Sequence, residues 1–223
     1  MVSHLTCVAR KAAKVLLCAF PWGAAQALID VSPKVVEMKD KQTVVRIINN
    51  GATPEFVNIT LYQVTNPGVP PKEEQMIPVG LITEPYLYAT PFKLSLGPRQ
   101  EKQVQLTAMK IPEKEKVYRL AVIPQHQTGI SDTHDNVMLV SLGFKGLIRQ
   151  LPSKIIATWQ HRCEATRIQL EATGTVRVEF SELKVNGSTV DDVNVYPGTP
   201  YWIEALSLSG KVEGKPFQLL CHS

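Results

Sequence analysis

The sequence predicts an all-β chain folded as two sandwiches, and three observations carry that expectation. Short runs of alternating β-branched and apolar residues recur along it. Turn chemistry and 16 prolines separate them, and beyond residue 27 no segment keeps a 3.6-residue apolar stripe over three turns. Runs at 43–48, 56–64, 93–96, 104–108, 117–123 and 137–144 form a first set of strands, enough for one sandwich. Pro152 cannot donate to a strand ladder and restricts Leu151 before it, so 150–154 is predicted to be a hinge. Runs at 155–158, 166–170, 175–180, 182–185, 201–206 and 217–220 form the second set, with turns expected at Asn186-Gly187 and Ser209-Gly210. The organisation that follows is a first domain over 28–149, the hinge, and a smaller second domain over 155–223.

Residues 1–27 stand apart. Arg10, Lys11 and Lys14 precede an apolar stretch, and Ala25 and Ala27 supply the small residues of a signal-peptidase site. Export with cleavage after Ala27 is therefore expected. The stretch falls short of the roughly 20 residues that span a bilayer, and no later segment is suited to membrane insertion. The leader also explains most of the net charge. It holds three of the 24 basic residues and none of the 20 acidic ones. What remains is nearly neutral and lacks the basic stripe that a nucleic-acid partner requires.

Cys7 and Cys18 belong to the leader, which leaves Cys163 and Cys221. In an exported chain this pair is read as a disulfide. The alternative is a zinc site completed by His161 and His222, although the H-x-C and C-H spacings depart from the usual gaps. Ser131, Asp132, His134 and Asp135 lie close in sequence, but a polar loop at 125–136 does not supply the fixed geometry of a catalytic group. No Gly-rich phosphate loop or nucleophile elbow is present. The chain is not expected to be an enzyme or to carry a cofactor.

Asn49-Asn50-Gly51 follows a strand, and Thr90-Pro91, then Leu96-Gly97-Pro98-Arg99-Gln100, then Tyr118-Arg119-Leu120-Ala121-Val122-Ile123-Pro124 succeed it. In order and spacing these resemble the PapD-like periplasmic chaperones of the chaperone–usher pathway. Ile111-Pro112-Glu113-Lys114-Glu115-Lys116-Val117 and Leu147-Ile148-Arg149-Gln150-Leu151-Pro152 are most similar to the alternate branch that assembles colonisation-factor-type fimbriae. The resemblance covers most of the first domain and the hinge. Over the second domain only the strand-rich character matches. It implies two immunoglobulin-like domains set as a boomerang, a periplasmic location, pilus subunits (pilin and adhesin) and the outer-membrane usher as partners, and room for self-association of the free chaperone. The implied mechanism is donor-strand complementation without ATP, a known mode of strand addition.

On this reading the lent strand is 137–144. Alternate side chains of a strand point to opposite faces, so Met138, Val140, Leu142 and Phe144 share one face, and Val137, Leu139, Ser141 and Gly143 share the other. The resemblance puts the second set against the chaperone's own core and the first against the bound pilus subunit. It also implies basic anchors for the subunit's terminal carboxylate: Lys34 on the first strand and Lys145 on the last, with Arg149 in reserve. Two other readings remain, a structural pilin or adhesin of the same pathway and a secreted immunoglobulin-like binding module. A pilin needs an N-terminal extension of alternating apolar residues, which 28–41 does not offer. A sugar-binding module needs an aromatic platform, and none is visible.

Overall fold

A computed structural model describes residues 29–125 and 144–221, so the leader and 126–143 lie outside the described residues. The first ten strands are β1 (Ile29–Ser32), β2 (Val35–Met38), β3 (Gln42–Asn49), β4 (Glu55–Val64), β5 (Met76–Pro78), β6 (Leu87–Thr90), β7 (Lys93–Leu96), β8 (Glu101–Ala108), β9 (Lys116–Pro124) and β10 (Phe144–Gln150). One sheet has the order β1-β3-β8-β6. The other has the order β2-β10-β9-β4, with β5 and β7 both paired to β4. The first strand region changes sheets at the cis Ser32–Pro33 bond, so β1 joins one layer and β2 the other.

Period-two burial explains why these segments are strands. Val57, Ile59 and Leu61 of β4, Val45 and Ile47 of β3, Val104 and Leu106 of β8, and Tyr118, Leu120 and Val122 of β9 all enter one core. Asn49 is a buried polar member of this layer. Its side-chain amide donates to the carbonyls of Thr53 (2.7 Å) and Gly97 (3.0 Å), and its oxygen accepts from Gly51 N–H (2.8 Å). It thereby ties two turns together.

The second sandwich holds β11 (Trp159–Glu164), β12 (Arg167–Ala172), β13 (Val178–Val185), β14 (Ser188–Thr189), β15 (Val193–Val195), β16 (Tyr201–Glu204), β17 (Ser207–Val212) and β18 (Lys215–Leu220). Its sheets are β11-β12-β16 and β14-β13-β17-β18, with β15 on β13. The all-β fold of two immunoglobulin-like sandwiches agrees with the sequence expectation. Phe180 of the second core meets the half-buried Trp159 and Phe217 edge to face, and these two meet each other likewise, with centroids 5.1–5.6 Å apart.

Three sequence expectations need correction. Residues 155–158 are not a strand; Ile156 and Thr158 offer their carbonyls to the backbone of Thr175 and Thr173 (2.8 Å each), so this segment pairs with a turn. Ser209-Gly210 is not a turn but lies inside β17, opposite Gln218 and Phe217. Glycine is needed there because β13 is irregular between Ser181 and Lys184, and a Cβ on Gly210 would come 2.7 Å from the Ser181 carbonyl. The actual reversal is Glu213-Gly214, both at positive φ. Finally, Gln150 is a strand residue: β10 begins where the predicted strand ends and runs through it. Asn186-Gly187 does form the predicted tight turn, with φ of 48° and 87°.

Cys163, on β11, and Cys221, just past β18, are joined by a disulfide with a Cα separation of 5.7 Å. It staples one sheet of the small sandwich to the other and leaves neither thiol free for zinc. With a sequence separation of 58 between the partners, the chain-entropy account gives about 4 kcal/mol. Cys221→Ser is therefore expected to lower the unfolding midpoint of the second sandwich while leaving the first unchanged. Calorimetry of the full chain, with and without reductant, reads this directly. An unchanged second transition would mean the aromatic core holds that unit alone.

Candidate functional site

The site is built around β10. One edge of β10 pairs antiparallel with β9 along its whole length, from Phe144 opposite Val122 to Gln150 opposite Lys116. The other edge pairs in parallel with β2, but only from Leu147 opposite Val35 onward. That ladder opens where Leu147 N–H donates to the Lys34 carbonyl (3.0 Å). Among the described residues, 144–146 therefore have no strand on that side. This is a short free edge, and it leads directly into the apolar segment 137–143.

Alternation along β10 assigns its faces. Gly146, Ile148 and Gln150 are buried toward the first core. Gln150 is fixed there by donating to the carbonyl of Lys110 (2.8 Å) and accepting from the Tyr118 hydroxyl (3.1 Å). Burial above all holds the Tyr118 pKa well over its ordinary value, so this hydroxyl stays a donor. Lys145, Leu147 and Arg149 lie on the opposite face, where Leu147 packs with Tyr196 of the second sandwich. Within β10 it is thus the even-numbered side that faces the chain's own core; Val137, Leu139, Ser141 and Gly143 lie outside the described residues. Met138, Val140 and Leu142 lie outside the described residues, and Phe144 is described by its backbone pairing alone.

The predicted basic residues separate into two kinds. Lys34 and Lys145 are exposed and have no ion-pair partner among the described residues. They flank the start of the parallel ladder. Arg149 is different. Its Nε and Nη2 donate to the two carboxylate oxygens of Glu115 (2.6 and 3.0 Å), and its Nη1 donates to Glu37. Burial on its own would lower the Arg149 pKa, but bonding to Glu115 and the charges of Glu115 and Glu37 outweigh it, and the guanidinium is held above its ordinary value. Arg149 is therefore occupied by internal carboxylates.

Glu115, which the sequence did not single out, is central. Its side chain is fully buried and also accepts from the Arg177 backbone N–H (2.8 Å), while its own N–H donates to the Thr175 carbonyl (2.8 Å). One carboxylate thus binds a side chain of the first sandwich and a backbone of the second. Beside it Val64, Val117, Met76 and Leu147 pack with Tyr196 into an apolar pad that spans both sandwiches. Only the motif around Glu115 was visible in sequence; its partners are 34 and 62 residues away.

The remaining chemistry-bearing groups do not assemble a site. No cluster of three metal-ligating side chains occurs among the described residues. His161 lies beside the Trp159 ring at 6.0 Å. Residues 131–135 fall outside the described residues. No described helix is long and apolar enough to cross a membrane.

No protein-family model matches the chain. A curated relative, a CFA/I fimbrial subunit of Escherichia coli, is 28% identical over 168 residues, which cover 69% of each chain. The crystal structure of the class 5 fimbriae chaperone CfaA is similar with a TM-score of 0.67 and 22% identity, covering 87% of this chain and 99% of that one. A chain of a chaperone–tip adhesin complex of CFA/I fimbriae biogenesis is similar with a TM-score of 0.65 and 21% identity, covering 88% and 99%. The chain has the two-domain immunoglobulin-like fold of these fimbrial chaperones, and the resemblance drawn from its sequence is to the same group.

Proposed function

We propose that this chain is a periplasmic chaperone of fimbrial assembly, which holds pilin and adhesin subunits by lending them the strand 137–144 and passes them to the outer-membrane usher. The observation that carries this reading is the free edge at 144–146, continuous with an apolar run and flanked by two exposed lysines. A pilus subunit whose own sheet lacks a strand meets three complementary features here. The strand edge offers backbone hydrogen bonds of about 1 kcal/mol net each. The even-numbered side chains prolong the stripe that Ile148 and Gly146 present to the first core, so a subunit groove stacked on the end of the sandwich extends that core. Burying three or four of them is worth roughly 1.5–3 kcal/mol apiece before ordering costs. Lys145 and Lys34 then hold a terminal carboxylate and fix the register. No step calls for bond chemistry, so the protein acts as a binding partner and not as an enzyme.

The E. coli relative is named for a structural component of the fimbria, and that role needs a sandwich left open by a missing strand. Among the described residues each sandwich has its own buried core. Co-expression with a pilin separates the two: a chaperone yields a discrete one-to-one complex, a structural component yields polymers. Lys145→Ala is expected to weaken that complex by roughly ten- to a hundredfold, the worth of one charge-assisted bond, with the melting temperature of the free protein unchanged. Wild-type affinity in this variant would remove the carboxylate anchor from the proposal.

A further inference from the structure

Among the described residues the chain crosses between the sandwiches once, through 151–158, and a single crossing leaves the angle between two domains free by default. Three contacts oppose that freedom. Two are the Glu115 bridge and the Tyr196 pad. The third comes from loop 66–75, between β4 and β5, and neither the sequence motifs nor the proposed function gives it a role. We infer that this loop is a strut that sets the angle between the sandwiches, with Gly68 and Glu74 as its positioning residues.

The loop is stiff by composition and by bonding. Pro67, Pro70 and Pro71 fix three of its φ angles. Asn66 clamps its two arms, donating to the Glu73 carbonyl (3.0 Å) and accepting from Gln75 N–H (2.6 Å). Glu73 N–H closes a turn onto the Pro70 carbonyl (2.8 Å), and Thr65 N–H donates to the Gln75 carbonyl (2.9 Å). The root is held to β9 by a two-pronged pair: Arg119 Nε donates to Glu74 Oε2 (2.9 Å) and Nη2 to Oε1, and the Glu74 side chain is only 7% exposed. Such a pair is geometrically specific as well as attractive.

The tip bears on the second sandwich. Gly68 has φ of 97°, and a Cβ there would stand 2.8 Å from the Asn194 carbonyl oxygen and 3.3 Å from the Tyr196 ring. Asn194 is itself gripped by the Arg177 guanidinium, and Arg177 N–H is the one bonded to Glu115. The supports thus form a ring: β9, Glu74, the loop, Gly68, Asn194, Arg177, Glu115 and back to β9. The cleft between the sandwiches, lined by Glu37, Arg149, Ile155 and Arg177, is consequently preformed in the free protein, which reduces the ordering cost of whatever binds there.

Residual dipolar couplings of the full-length protein test the strut without any ligand. In the wild type the backbone amides of both sandwiches fit one alignment tensor. Gly68→Val is expected to reorient the second sandwich or reduce its alignment, because the tip can no longer approach Asn194. Pro70→Gly with Pro71→Gly softens the loop without a clash and is expected to reduce the alignment of the second sandwich alone. Gly214→Ala controls for backbone strain: its φ is 75° and nothing lies within 4 Å of the new Cβ, so the single fit persists. Unperturbed amide spectra within each sandwich exclude misfolding as the cause. A wild-type fit in both loop variants overturns the strut. Only the affinity measurement rests on the chaperone reading: if a tenth of the molecules keep the competent angle, pilin binding falls about tenfold. Split alignment with unchanged affinity leaves the strut standing and removes the cleft from the binding reading.

Discussion

Replacing Glu115 by alanine is expected to destabilise the protein by about 3–5 kcal/mol, the usual cost of removing one partner of a buried ion pair. The cause lies in what remains. Arg149 has a side chain only 8% exposed and would keep its charge, since a guanidinium is not deprotonated inside a protein. It would retain Glu37 alone, whose side chain is 46% exposed and so contributes weakly. The Arg177 N–H would also lose its acceptor. Replacing both members of the pair, with Glu115→Ala and Arg149→Leu together, leaves no buried charge and is expected to cost less than Glu115→Ala alone. Denaturant unfolding of the two single variants and the double variant closes the cycle. A Glu115→Ala variant within about 1 kcal/mol of wild type would show that Glu37 suffices and that Glu115 does not join the sandwiches.

These expectations also mark where sequence reasoning reached and where it stopped. β4 and β8 were legible because each buries one face and shows it as alternation; β9, buried on both faces over much of its length, was legible as a short apolar, β-branched run. The strand expected at 137–144 continues through Gln150, and that continuation escaped notice because Lys145, Arg149 and Gln150 look like surface residues. In the fold they are strand residues, two of them buried by partners from other segments: Glu115 and Glu37 for Arg149, Tyr118 and the Lys110 carbonyl for Gln150. Period alone cannot reveal a buried polar residue whose partner is remote. Gly210 misled for a related reason, since a glycine demanded by a bulge on the neighbouring strand looks the same in sequence as a glycine demanded by a turn. The two cysteines left a choice between disulfide and zinc, and only their meeting across the two sheets of the small sandwich decides it. Lys34 and Lys145 were named by resemblance; what the fold adds is that both stand exposed at the opening of the same ladder.

Val140→Asp is expected to weaken pilin binding by at least a hundredfold while the free protein unfolds as before. Two arguments give that size. The variant forfeits roughly 1.5–3 kcal/mol of apolar burial, and it drives a carboxylate into an apolar groove, where it must be desolvated or protonated at further cost. The stability of the free protein is spared for a reason of register. Phe144 stands opposite Val122, so a strand continued in that register brings Leu142 opposite Pro124, the last residue of β9. On the proposed reading Val140 and Met138 would then continue past the end of the described ladder, where the bound pilin is what buries them. Phase makes the test sharper. The even positions run in step with Ile148, which is 1% exposed in the first core, so Leu139→Asp places its charge on the opposite side and is expected to bind within a few-fold of wild type. If Leu139→Asp abolishes the complex and Val140→Asp does not, the strand is lent in the other phase. If neither variant loses the pilin, 137–144 is not the lent strand, and the free edge of β10 must serve some other partner.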